Sequence, residues 1–213
     1  MSDDTLPEKL EQTMEVNENP TRLSLPLEDE SVAQVRSGEW LQLQGSLLLL
    51  SWRAAEKLAN DLVAGTELPF DITNQTFYLT SPTVAPTDKV IGSIGPNDMG
   101  RYLPFLRPLL DAGARGLIAR GRPEQDILER LKKKQGLYLV TVGGALLARK
   151  VYQMDVLAYP ELGLDSLQRV KIAKFPAVVA IDAFGRNLFS GRTSSSNTET
   201  QAMTAFSMLE QEE

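Results

Sequence analysis

Cysteine and histidine are both missing from this 213-residue chain. Without thiols no disulfide forms, and without thiolate or imidazole the usual side-chain ligands of zinc, haem and iron–sulfur clusters are lacking. A Cys/His nucleophile pair and a Ser-His-Asp triad are excluded in the same way. Any chemistry must rest on carboxylates, hydroxyls, lysine, arginine, backbone groups or something brought by a partner. Long apolar runs are lacking too. A stretch such as Leu47 to Leu50 is far too short to span a bilayer, and no basic-then-apolar signal pattern opens the chain, so the expected location is the cytoplasm. Positive charge is in deficit, with a net charge of −6. That balance argues against nucleic acid and acidic membrane surfaces as partners, since both need clustered cations. A content of 42% hydrophobic and 23% charged residues is what a soluble globular chain carries, and the length suits one sizeable domain with a tail.

Residues 1–21 are rich in Asp, Glu, Asn, Thr and Pro and poor in large apolar side chains. Such a segment buries too little surface to offset the entropy of ordering, so a mobile acidic tail is expected there. A domain over residues 22–190 follows, and then a polar linker and short C-terminal helix over residues 191–213. Within the domain, strands are expected at Leu23 to Leu27, Trp40 to Gln44 and Leu47 to Leu50. Others are expected at Phe77 to Thr80, Lys89 to Ile94, Gly116 to Ala119, Leu137 to Val142 and Val151 to Ala158. Two more, Ser166 to Ile172 and Ala177 to Ile181, close the series. Helices are expected over Glu28 to Val35, from an N-cap at Ser51 to Ala64, and from Arg101 to Leu110. Two further ones run from Pro123, placed in the first turn, to Lys133, and from Gly143 to Lys150. Trp40 and Trp52 read as core side chains. Helical patterns separating the central strands argue an α/β fold with a more β-rich ring around it.

The segment Ile91 to Arg101 (IGSIGPNDMGR) carries most of the chemical information. An apolar run enters a Gly-Pro turn, meets two small polar side chains and an arginine, and passes into a helical pattern. Such a turn aims backbone N–H groups and one guanidinium at a common point, which suits a carboxylate. The same spacing also describes a purely structural strand-to-helix turn. Gly143 and Gly144, before another helix start, offer a second place where an anion or tight packing accounts for the glycines. Arg120 and Arg122, with Arg115 nearby, read equally as a solvated cationic edge and as part of a site. Lys132 to Lys134 at a helix end complement the helix dipole, and Ser194 to Ser196 read as linker.

The run at residues 91–101 resembles the Gly-Pro-Thr-Thr-x-Gly-Arg motif in the β subunit, or C-terminal domain, of iron–sulfur hydro-lyases, the class I fumarases and L-tartrate dehydratases. Ser46 to Leu58 (SLLLLSWRAAEKL) resembles the strand and helix that this family places after a small turn. Leu68 to Asp71 is similar to its Leu-Pro-x-Asp, and Gly143 to Ala148 to its Gly-Gly helix start. Tyr159 to Gly163 and Phe175 to Asp182 are similar to its closing segments. Several collinear motifs over residues 22–190 are far more specific than any one of them.

The resemblance implies a swivelling β/β/α domain with a mixed sheet and flanking helices. It implies a hydro-lyase acting on a small hydroxy-dicarboxylic acid, with no cofactor on this chain. The 4Fe-4S cluster then belongs to a separate α subunit, where it acts as Lewis acid on the departing hydroxyl. The β half holds the carboxylates and contributes to moving a proton. By position, Arg101 keeps the motif's arginine, and Gly95 and Asn97 line the turn as substrate-binding residues. Asp98 is the one available base, although it stands a position late and brings negative charge toward an anion. Arg120 replaces the lysine of a Gly-Lys-Gly and keeps its charge in a different geometry. The family's Arg-Asp pair becomes Ser51 and Trp52, where the indole is placed to fill the pocket, and its next-turn histidine becomes Ala55. Arg53 lies about 200° round the helix from Ser51 and is no automatic replacement. These changes leave a second reading open, a non-catalytic descendant that binds a carboxylate or serves as a regulatory or scaffold protein. A third is a hydro-lyase of altered substrate, with Asp98 as base and Arg53 or Arg120 as a relocated clamp.

Overall fold

The computed structural model describes residues 20–141 and 143–190. The expected acidic tail through residue 19, Val142 at the end of one expected strand, the linker and the C-terminal helix lie outside them. Thr21, counted above with the tail, opens the first strand.

Among the described residues seven strands form one sheet, in the order β1-β2-β3-β4-β5-β7-β6 with a further β2–β7 pairing. They are β1 (Thr21–Leu25), β2 (Trp40–Leu50), β3 (Thr76–Leu79), β4 (Gly116–Ile118), β5 (Leu137–Val140), β6 (Val151–Ala158) and β7 (Leu167–Ile181). Strands β1 to β5 are mutually parallel. Strand β7 runs antiparallel to both β2 and β5, so β2, β3, β4, β5 and β7 join into a hydrogen-bonded ring. The fold is mixed α/β with flanking helices, as expected.

Alternation along the strands divides the apolar side chains between two layers. Leu47, Leu49, Tyr78, Ile118, Leu139, Val170 and Phe175 pack inside the ring. Leu48, Leu50, Phe77, Leu79, Leu117 and Tyr138 face outward onto three helices. Those are α2 (Trp52–Ala64), α3 (Leu103–Asp111) and α4 (Gln125–Lys133), while α1 (Asp29–Gln34) and α5 (Gly144–Ala148) are short. Burial of both faces explains why Leu47 to Leu50 is an unbroken apolar run.

Four local expectations are corrected. Ser166 to Ile172 and Ala177 to Ile181 belong to one strand, β7, which continues through a bulge that sets Ala173 and the positive-φ Lys174 opposite the single Gln44. That bulge shifts the inward face from Ile172 to Phe175, which breaks the period-two pattern without breaking the strand. Lys89 to Ile94 joins no strand. Ile91 and Ile94 are buried, but Ser93 bonds to Thr83, closing a loop on itself. Apolar alternation there marks burial rather than pairing. Pro123 lies before the N-cap Glu124, outside the first turn of α4. Trp40 and Trp52 are half-buried and not core. Ser51 does cap α2, accepting the Ala54 N–H at 3.1 Å, and Gly65 closes that helix in the left-handed conformation its φ of 71° requires.

Candidate functional site at the carboxyl ends of the parallel strands

Four parallel strands, β2 to β5, release the chain at the same end of the ring, and the loops that follow meet there. In α/β folds, open sheets and closed barrels alike, this end is where ligands gather. After β3 the chain makes a long excursion and returns as Ile94 to Asp98. The Thr80 hydroxyl donates to the Gly95 carbonyl at 2.7 Å and the Tyr78 hydroxyl to the Ile94 carbonyl. The Asn97 N–H donates to Leu79 O (2.7 Å), Arg120 N–H to Asn97 O (2.9 Å) and Met99 N–H to Arg120 O (2.9 Å). The returning segment is therefore wedged between the ends of β3 and β4, and Asp98 and Arg120 stand as bridge partners.

The turn after β5 comes in from the other side. Ile94 N–H donates to Gly144 O at 3.2 Å. A Cβ on Gly144 would lie 2.2 Å from Ser93 Oγ and 3.1 Å from the Gly95 nitrogen. A side chain here would displace the Ser93 hydroxyl and press on the Gly95 backbone, a packing reason for Gly144, while Gly143 takes a positive φ of 82° that favours glycine.

The residues singled out from the sequence converge on this mouth, with different duties. Arg101 is exposed, and its guanidinium carbon lies over the Trp52 ring, 4.9 Å from the centroid. Among the described residues no carboxylate pairs with Arg101 or Arg120. Asn97 donates its amide to the Tyr102 hydroxyl at 2.7 Å. Burial holds that phenol above its ordinary range, against the opposing pull of Asn97 and the Arg101 charge, so it stays neutral. The Asp98 carboxylate accepts the Gly100 N–H at 2.9 Å and caps a 3-10 turn, Met99–Tyr102, that leads into α3. Its second oxygen lies against Gly121.

Other residues are placed away from the mouth or are engaged. Ser51 donates its hydroxyl to Asp165 O at 2.7 Å, and Arg53 Nε lies 3.8 Å from the Asp165 carboxylate. Ala55, in the first turn of α2, is fully buried. Arg115, grouped with Arg120 in the sequence, sits at the opposite end of β4, buried and paired with Asp29. Arg122 lies over Phe189 at 5.3 Å. Sequence reasoning missed Tyr102 as the partner of Asn97 and Thr80 as the anchor of Gly95. Both lie close by in sequence, yet nothing in a pattern marks a buried hydroxyl as pointing at a loop. Among the described residues no group of three or more acidic side chains is placed to hold a metal ion. The chain also has no cysteine or histidine. These residues do not fit an iron–sulfur cluster.

The pattern that defines the family described as Fumarase C-terminus matches residues 1–192, and the chain belongs to that family. It is 28% identical over 190 residues to the anaerobic class I fumarate hydratase of Escherichia coli K12, covering 86% of this chain and 35% of that protein. The aerobic class I fumarate hydratase of Salmonella typhimurium is 28% identical, with 86% and 33% covered. Fumarate hydratase 2 of Leishmania major is 27% identical over 165 residues, 76% of this chain and 29% of that protein. The chain thus spans about a third of the length of the curated relatives it matches.

Proposed function

We propose that this chain is the β-type half of an iron–sulfur hydro-lyase acting on a small hydroxy-dicarboxylic acid of the fumarate or tartrate dehydratase kind. The swivelling β/β/α arrangement of that family is part of this reading, as is a cytoplasmic heteromer. On this reading the cluster and its ligands belong to a separate α subunit. This half binds and orients the acid. Arg101 grips one carboxylate through paired N–H groups, Gly95 and Asn97 form the floor beside it, and Arg120 adds positive charge from the end of β4. Asp98 is the group on this side able to hold a proton. The observation that carries the reading is the mouth itself, where the turn that leads into Arg101 is bonded to the Arg120 backbone and neither arginine has a carboxylate partner among the described residues.

A second reading has its own support. Asp98 is engaged as a helix-turn cap and Ser51 is turned to Asp165, so both serve structure. On that reading the chain binds a carboxylate or scaffolds another protein without turnover. Affinity capture from native lysate, with iron analysis of the eluate and assay of fumarate and tartrate turnover, separates the two. Co-purification of an iron-bearing polypeptide with activity that Arg101→Ala lowers at least tenfold is expected. An eluate lacking iron and turnover defeats the hydro-lyase reading.

A further inference from the structure

We infer that Trp52 is a positioning residue for carboxylate recognition, its indole face holding the Arg101 guanidinium so that the N–H groups at its rim point into the mouth. The inference deepens the reading of the mouth as a carboxylate site and rests on it. Three observations carry it. The Arg101 charge lies 4.9 Å from the Trp52 ring centroid, within the range of cation–π attraction. Arg53 shares the ring at 5.8 Å but is engaged by Asp165, so Arg101 is the cation left for a ligand.

The third observation is that both partners stand on rigid turns. Trp52 is the first residue of α2, fixed by the double bonding of Ser51 to Ala54 and Asp165 and packed against the helical core layer. Arg101 lies in the turn capped by Asp98 and tied to Arg120 through Met99. A free arginine loses rotamer freedom when it grips an anion, and stacking removes that loss before the ligand arrives. The apolar indole beside the guanidinium favours an acid with a short hydrocarbon body over an inorganic anion.

The test uses the full chain and malate as probe, with calorimetry for affinity and side-chain NMR for Arg101. In the free protein the Arg101 δ-protons carry a ring-current shift that Trp52→Leu abolishes and Trp52→Phe partly keeps. Trp52→Leu weakens malate binding about 3- to 30-fold, while Trp52→Phe stays within about 3-fold of wild type. In an Arg101→Ala background the Trp52→Leu change adds no further loss, because its effect runs through the arginine. Equal affinity in wild type and Trp52→Leu, or a loss that persists undiminished without Arg101, overturns the role of Trp52 and leaves the carboxylate site standing. No uptake by the wild-type chain overturns the carboxylate site and this role with it.

Discussion

The two ends of the strand ring treat charge in opposite ways. At the amino ends of the parallel strands, charge is closed off. Arg115 is only 5% exposed, bonds the Gln135 carbonyl at 3.2 Å and pairs with Asp29. Asp182, fully buried after β7, receives the N–H groups of Ser37, Phe184 and Arg186 and the Arg186 guanidinium. At the carboxyl ends Arg101 and Arg120 are exposed, and among the described residues neither has a carboxylate partner. A buried charge must be matched within the protein or it costs several kcal/mol. An exposed, unmatched one costs little and stays available to a ligand. The closed end is where matched charge contributes stability, and the open end is where the proposed carboxylate site lies.

Substitutions sharpen that contrast, beginning with the largest. Arg115→Ala is expected to cost about 2–4 kcal/mol, toward the lower value because Asp29 itself remains solvated. A fall in urea midpoint at unchanged m-value reports it, and a loss below 1 kcal/mol breaks the comparison. Asp182→Asn follows at about 1–3 kcal/mol near neutral pH. Burial alone would raise this carboxyl, but the bonds from Ser37, Arg186 and Phe184 outweigh it and leave it below the usual range. The wild-type advantage is therefore complete above the ordinary aspartate pKa of about 3.9. It is lost as the pH falls through the lower folded value, so melting curves of the two proteins converge in acid.

Smaller effects belong to the open end. Gly144→Ala pushes a methyl toward Ser93 and the Gly95 nitrogen, at a cost of about 1–2 kcal/mol. Carboxylate affinity, measured by calorimetry, drops with it because the turn bearing Asn97 is displaced. Asp98→Ala loses about 1 kcal/mol as a cap is removed, whereas Asp98→Asn keeps the cap. If Asp98 also holds a proton, Asp98→Asn abolishes the turnover of a reconstituted complex while leaving thermal stability near wild type. Arg101→Ala and Arg120→Ala come last in stability, within about 0.5 kcal/mol. Their effect lies in ligand affinity, and a large stability loss in either shows that the mouth is as structural as the far end.

Much of this organisation is written along the chain. Ser51 ahead of an apolar helix pattern, Gly65 at its end and the double-faced Leu47 to Leu50 run are local signals that the structure repeats. The Gly-Pro turn with its trailing arginine marks a loop that the structure places at the carboxyl-end mouth. Less legible was how strands combine. The bulge at Lys174 hid the continuity of β7, and alternation near Ile91 recorded burial without pairing. In the site, Arg115 and Arg120 stand five positions apart in sequence and belong to opposite ends of one short strand.

Composition and spacing by themselves determined that a cluster finds no thiolate or imidazole here, that helices and strands alternate, and that Arg101 follows a tight turn. Those properties depend on residue chemistry and on neighbours a few positions away. Only the tertiary structure decided that Trp52 lies under Arg101, that the backbones of Asn97 and Arg120 are bonded, and that Arg115 is shut away while Arg120 faces out. Such pairings join segments tens of residues apart, and they exist only once β7 has closed the ring and brought the strand ends to one mouth.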